Sequence, residues 1–177
     1  MKQFGFLFDL DRCTGCNACV ISCLNENCQS SRSLRRVILA NNKFFLSISC
    51  NHCSQPECLQ ICPKIAFKKR DNGVVELNHN RCDGCGLCVT VCPYGAIQVN
   101  SLTGIVEKCN MCNIESLESN LPPCIQACQT SALQLSNLYS EIHENVVTDL
   151  EGFPNPHITK PSLRIVSRKM KRNSWNN

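Results

Sequence analysis

The sequence predicts an α+β protein of short strands and short helices, organised by cysteine rather than by a large apolar core. Three observations lead there. Cysteine makes up 17 of 177 residues, the level at which bonded sulfur sets the architecture of a small chain. Hydrophobic residues are 43% of the chain, and about one third once the cysteines are set aside, a thin supply for a core. Short β-prone runs also bracket each dense cysteine stretch.

Sixteen of the cysteines fall into four quartets. The run FGFLFDL leads into the first, Cys13-x2-Cys16-x2-Cys19-x3-Cys23. FFLSIS leads into the second, Cys50-x2-Cys53-x4-Cys58-x3-Cys62, and AFKK leads out. VVELN leads into the third, Cys82-x2-Cys85-x2-Cys88-x3-Cys92, and AIQVN leads out. GIVEK leads into the fourth, Cys109-x2-Cys112-x11-Cys124-x3-Cys128, and ALQLS leads out. Each unit thus reads as strand, cysteine loop, helical turn and strand. Pro63 and Pro93 end their helical turns, because proline cannot continue a helix. Four residues after the last cysteine, an alanine and a large apolar residue recur: Ala66-Phe67, Ala96-Ile97 and Ala132-Leu133. Their spacing of 30 and 36 residues marks a duplicated supersecondary unit. The first quartet has Asn27 at that position, and Cys28 fits no quartet and reads as a free loop thiol.

Three chemistries use thiols at this density. A disulfide framework fits poorly, because the count is odd and MKQFGFLFDLD, broken by Asp9, does not read as an export signal. Zinc takes C-x2-C pairs and stays open, above all for Cys109 and Cys112 with Cys124 and Cys128. The denser loops of quartets one and three would leave a zinc ligand unused. A [4Fe–4S] cubane offers four iron corners, and a C-x2-C-x2-C loop wraps three of them. The fourth cysteine lies about 6 Å further along a helical turn. In the bacterial ferredoxin run C-x2-C-x2-C-x3-C-P it binds a second cluster. Sixteen cysteines then make four cubanes. Gly15, Gly84 and Gly86 are expected at positive φ, turning N–H groups toward the anionic cluster. His52, in CNHC, is expected to pack or hydrogen-bond rather than ligate, because a Rieske centre needs two histidines.

The formal charge is +4 with thiols neutral, but four thiolate-held cubanes at about −2 each would bring it to about −4. No nucleic-acid partner is expected from it. No run approaches the roughly 18 apolar residues of a membrane helix, so contact with a membrane is expected only through a partner. Neither a glycine-rich phosphate loop nor a cluster of histidines or acids is present. Fully ligated cubanes have no open iron, so the chain reads as an electron carrier with no catalytic residue and not as an enzyme. From Lys160 onward there are six Lys or Arg and no acid. That tail reads as a solvated end, or alternatively as a segment docking on an acidic partner or lipid headgroups.

With the quartets in view, the chain resembles the four-cluster iron–sulfur subunits of molybdopterin oxidoreductase complexes, within them the anaerobic dimethyl sulfoxide reductase type. The resemblance is carried by FGFLFDLDRCTGC, LSISCNHCSQPEC, RCDGCGLCVTVCPYGA, EKCNMC and, more weakly, PHITKP. It implies two interlocked bacterial-ferredoxin-like lobes, one from residues 1–28 plus 101–138 and the other from 44–100, with 139–177 a tail docking on the lobes or a partner. It also implies the ligand sets. Cys13, Cys16, Cys19 and Cys128 hold the first cluster, and Cys23, Cys109, Cys112 and Cys124 the second. Cys50, Cys53, Cys58 and Cys92 hold the third, and Cys62, Cys82, Cys85 and Cys88 the fourth. Some relatives carry a three-iron cluster where Cys85 stands, so four [4Fe–4S] clusters are expected here. Gln129 stands where many relatives have proline, and the insert between Cys23 and Cys50 is short.

The implied partners are a molybdopterin-containing catalytic subunit and an integral-membrane quinol-oxidising anchor, in anaerobic respiration. The protein is expected to be loaded with clusters in the cytoplasm. It then either stays on that face of the membrane or is exported folded beside a partner bearing a twin-arginine signal. The alternatives are a free polyferredoxin, or the electron-transfer subunit of a thiosulfate or polysulfide reductase, formate dehydrogenase or hydrogenase.

Overall fold

The computed structural model describes residues 2–27, 33–40, 43–116, 121–139, 141, 144–147 and 150–167. Cys28 and the basic residues beyond Ser167 lie outside the described residues. Strand β1, Phe4–Asp9, leads through the first cysteine loop into α1, Ala18–Glu26. A hairpin of β2, Arg36–Ala40, and β3, Phe44–Ile48, follows. The second unit continues through α2, Glu57–Gln60, to β4, Phe67–Lys69. The third is β5, Val75–Leu77, α3, Leu87–Val91, and β6, Gln98–Val99. The fourth is β7, Val106–Glu107, α4, Pro123–Gln126, and β8, Leu133–Asn137. This is a small α+β fold of few short helices and small sheets. Among the described residues no helix is long and apolar enough to cross a membrane.

The pairing is nested. The strand leading into the first loop, β1, runs antiparallel to the strand leaving the fourth, β8, with Phe4 opposite Asn137 and Phe8 opposite Leu133. Inside that pair, β4 leaves the second loop and runs antiparallel to β5, which enters the third. The β6–β7 hairpin joins the third unit to the fourth. The helices follow the same rule, α1 packing on α4 and α2 on α3. Alternation in β1 turns Phe6 and Phe8 into the main core, where they meet Leu46, Ile48, Leu133, Leu163 and Ile165. A smaller core contains Phe67, Val75, Cys88, Ile97 and Val106.

The segment read as a solvated end from Lys160 is built into the fold as far as Ser167. Helix α5, Pro156–Thr159, is capped by Asn155, whose Oδ1 accepts from the His157 N–H at 2.9 Å. Strand β9, Leu163–Val166, then lies parallel to β1, with Phe6 opposite Leu163 and Asp9 opposite Val166. The alternation Leu-Arg-Ile-Val buries Leu163 and Ile165 on one face and leaves Arg164 at the margin. The backbones of β1 and Ser162 approach closely here, the Phe6 N–H donating to the Ser162 carbonyl at 2.9 Å. A Cβ on Gly5 would collide with that carbonyl and lie 2.9 Å from Leu138 Cδ1, which is why glycine stands there.

Candidate metal centres

The four cysteine loops share one backbone device. In each, the residue before the second cysteine is left-handed: Gly15 at φ +73°, His52 at +43°, Gly84 at +74° and Met111 at +56°. Alternating hand turns successive N–H groups to one side and makes a concavity for an anion. A second device follows each of the last three quartets. Ile65, Gly95 and Ser131 have φ of +50°, +55° and +52°. The turns aim the N–H groups of Ala66, Ala96 and Leu133 at the sulfurs of Cys62, Cys92 and Cys128, each at 3.4 Å. Ala66, Ala96 and Ala132 are almost fully buried here, which is the physical reason for the repeated alanine. Sequence reasoning found the glycines but missed the left-handed His52, Met111, Ile65 and Ser131. The available signal was their alignment with Gly15, Gly84 and Gly95 when the repeats are superposed.

Helical turns carry Cys23, Cys88 and Cys124 inward, and Cys50 and Cys109 are buried at the starts of their loops. Cys23, Cys50, Cys88, Cys109 and Cys124 are buried, Cys16 and Cys85 exposed, and the other nine quartet members half-buried. Burial raises the Cys13 thiol above its usual range against a lowering bond from the Gly15 backbone, and the neighbouring Cys19, Cys128 and Cys16 raise it further. Cys112 is raised by burial and then by Cys109, Cys124 and Cys23, with Glu26 adding to them. Burial pushes Cys58 up to about 12, with Cys50, Cys92 and Cys53 adding and Lys108 opposing. Cys88 is pushed up to about 11 by burial, against its own backbone hydrogen bond, with Cys82, Cys85 and Cys62 adding. Thiols of different quartets thus feel one another, Cys13 with Cys128 and Cys112 with Cys23. Two groups of four line cavities: Cys50, Cys53, Cys58 and Cys92 with Tyr94 and Ile97, and Cys62, Cys82, Cys85 and Cys88 with Phe67 and Val106. Among the described residues no three His, Cys, Asp or Glu side chains converge on a single ion.

Numbered as the resemblance implies, the sets also neighbour one another. Cys109 of the second set feels Cys50 of the third, and Cys58 and Cys92 of the third share the smaller core with Cys62, Cys82 and Cys88 of the fourth. Two buried cations, Arg35 and Lys108, and the half-buried Lys69 lie along this row. Arg35 reaches Cys19, Cys23, Cys109 and Cys124. Lys108 donates to the Val75 carbonyl and, at 2.7 Å, to that of Cys109. Lys69 Nζ donates to the Cys53 and Gly73 carbonyls at 2.9 Å.

Orphaned donors test whether an inorganic anion fits. Burial, then Lys108 and Lys69, hold the His52 imidazole well below its ordinary pKa, so it is neutral. Its Nδ1 accepts from the Val75 N–H at 3.1 Å, which puts the proton on Nε2. That Nε2 and the amide nitrogen of Asn51 are buried and have no hydrogen-bond partner among the described residues. Buried donors of this kind need acceptors, and the sulfide cage of an iron–sulfur cluster beside Cys50 and Cys53 would supply them. The donor set fits the group.

Comparison with known proteins agrees with this chemistry. A family model described as a 4Fe-4S dicluster domain matches residues 41–138, and one described as a 4Fe-4S binding domain matches residues 10–30. The chain is 34% identical to the probable anaerobic dimethyl sulfoxide reductase chain YnfG of Escherichia coli (strain K12), over 92% of this chain and 88% of the relative. It is also 34% identical, with the same coverage, to the B subunit of anaerobic dimethyl sulfoxide reductase from that organism. It is 35% identical to the thiosulfate reductase electron transfer subunit PhsB of Salmonella typhi, over 95% of this chain and 93% of the relative. With its cysteine loops and these matches, the protein binds [4Fe–4S] clusters and belongs to the family of non-catalytic electron-transfer subunits represented by the B subunit of anaerobic dimethyl sulfoxide reductase.

Proposed function

We propose that the protein relays electrons through four [4Fe–4S] clusters between an integral-membrane, quinol-oxidising anchor and a molybdopterin-containing catalytic subunit of the dimethyl sulfoxide reductase kind. The ligand sets are Cys13, Cys16, Cys19 and Cys128; Cys23, Cys109, Cys112 and Cys124; Cys50, Cys53, Cys58 and Cys92; and Cys62, Cys82, Cys85 and Cys88. The observation that carries this reading is the serial order of the sets, with an exposed cysteine at either end of the row, Cys16 and Cys85. A row that is buried in the middle and open at both ends accepts electrons at one face and delivers them at another.

When bound, such clusters supply one-electron redox centres within roughly −700 to +450 mV. The chain's own residues do the rest. The thiols lose their protons when they bind as thiolates, and burial, by raising thiols such as Cys58 and Cys88, makes cluster binding there a proton-releasing event. Left-handed loop residues aim N–H groups at the site, and Phe67, Tyr94, Ile97 and Val106 keep water away. Residues 1–28 with 101–138 would form one ferredoxin-like lobe and 44–100 the other, interlocked through the shared helical turns. The nested strand pairing supports this division. Membrane contact then comes through the anchor, on whichever face the catalytic partner lies. The thiosulfate reductase relative supports a second reading of the terminal acceptor, a sulfur oxyanion.

The test is metal stoichiometry in the complex isolated anaerobically through this protein from its native host. Sixteen or so irons from this subunit, together with molybdenum in a large partner, are expected. The same iron without molybdenum would overturn the partner assignment and leave a polyferredoxin.

A further inference from the structure

Arg35 belongs to the space between two cysteine sets. It is 2% exposed, with one guanidinium nitrogen donating to Ser47 Oγ at 3.0 Å and the other to Ser49 Oγ at 2.8 Å. Its guanidinium lies over the Phe6 ring, 4.4 Å from the centroid. Ser47 Oγ in turn sits 3.3 Å from the sulfur of Cys19. No carboxylate pairs with Arg35 among the described residues. A buried guanidinium cannot shed its proton, and one matched by no anion is costly. Arg35 hydrogen-bonds the Cys124 side chain and acts electrostatically on Cys109, Cys19 and Cys23, one thiol of the first set and three of the second, which become anions on binding a cluster. Because β3 carries Ser47 and leads into Ser49, and is locked to β2, the charge is fixed in place.

We propose that Arg35 is a potential-setting residue: a fixed, buried positive charge, coupled to Cys19 through the Ser47 hydroxyl, that favours the reduced state of the clusters in the first two sets. The inference rests on the ligand sets proposed above. Reduction adds one electron and no proton, so a cation held nearby in a poorly screened interior lowers the energy of the reduced form and raises the potential. Three of its four thiol neighbours belong to the second set, so the effect is greater there.

The test is redox titration of the intact complex, followed by electron paramagnetic resonance, with iron counted per subunit. Each signal is assigned by its loss in a Cys→Ser variant of its set. Arg35→Gln is expected to keep its iron and to lower the midpoints of the first two clusters, the second more than the first, leaving the other two in place. Arg35→Lys, which keeps the charge, restores most of the shift. Ser47→Ala lowers the first cluster alone, and by less. Unchanged midpoints, or all four moving together, would overturn the proposal. Where Arg35→Gln loses iron, Ser47→Ala decides, since it keeps the charge: a shift confined to the first cluster supports the coupling, and no shift refutes it. An unaltered complex with fewer than about sixteen irons in this subunit would instead refute the ligand sets.

Discussion

The two halves of the molecule carry the same cysteine rhythm and close around it in different ways. The half with quartets one and four gathers strands into the β8-β1-β9 sheet and backs it with Phe6, Phe8, Leu133, Leu163 and Ile165. The half with quartets two and three lends Leu46, Ile48 and Tyr94 to that core, while around its short β4–β5 hairpin only a few apolar residues, Phe67, Val75, Ile97 and Val106, gather with Cys58, Cys62, Cys82, Cys88 and Cys92. Where apolar side chains are plentiful, the protein builds its own interior. Where they are scarce, the cluster and its thiolates must serve as that interior, and metal binding and folding become one event. The charges differ as well. Arg35 and Lys108 are buried along the first three of the proposed sets, while the proposed fourth has the exposed pair of Lys64 and Asp83, 3.7 Å apart.

The sharpest way to break this contrast is to remove a ligand from each half. On the proposed sets, Cys88→Ser is expected to abolish quinol-coupled turnover, sparing activity driven by an artificial donor to the partner, and to lower the unfolding temperature markedly. Cys13→Ser should stop the relay as completely but cost less stability, because the sheet beside it has its own core. Equal losses of unfolding temperature would erase the contrast. A smaller effect is expected from Gly5→Ala, which forces β1 and Ser162 apart. It should cost about 1–3 kcal/mol in thermal unfolding and leave the iron count of the other half unchanged. The smallest effects compare two lysines. Lys69→Met removes donors from the part-buried Cys53 and Gly73 carbonyls and should cost about 0.5–1.5 kcal/mol, with a lower midpoint for the Cys50, Cys53, Cys58 and Cys92 cluster. Lys64→Met breaks an exposed pair worth about 0–1 kcal/mol and should move no midpoint. A shift in the Lys64 variant as large as in the Lys69 variant would show that burial of the cation is not what matters.

Much of this was legible because the local signals agree with one another. The seven strand-like runs flanking the cysteines all contain strands, and a helical turn follows each loop. Three parts were hidden for physical reasons. Strand β9 depends on parallel pairing with a strand distant in sequence, and its own Arg164 with the preceding Lys160 gives the segment the composition of a solvated end. Strand β2, RVILA, went unread because its partner is the adjacent strand and its apolar residues stay partly exposed. Arg35 lies between Leu34 and Arg36 with no motif to mark it; its burial comes from Ser47, Ser49 and Phe6, which only tertiary structure brings to it. The left-handed Ile65 and Ser131 are equally silent, since neither residue type favours that conformation on its own.

The nested pairing has a consequence for biosynthesis. Strand β1 is synthesised well before both of its sheet neighbours, β8 and β9, which follow all four cysteine loops. The β4–β5 hairpin and the α2–α3 pair need only neighbouring residues and can settle while the polypeptide is still growing. Maturation therefore proceeds from the middle outward. On the proposed sets, the thiols from Cys13 to Cys23 wait longest for their partners Cys109 to Cys128, a window in which the nascent polypeptide carries exposed, oxidisable sulfur.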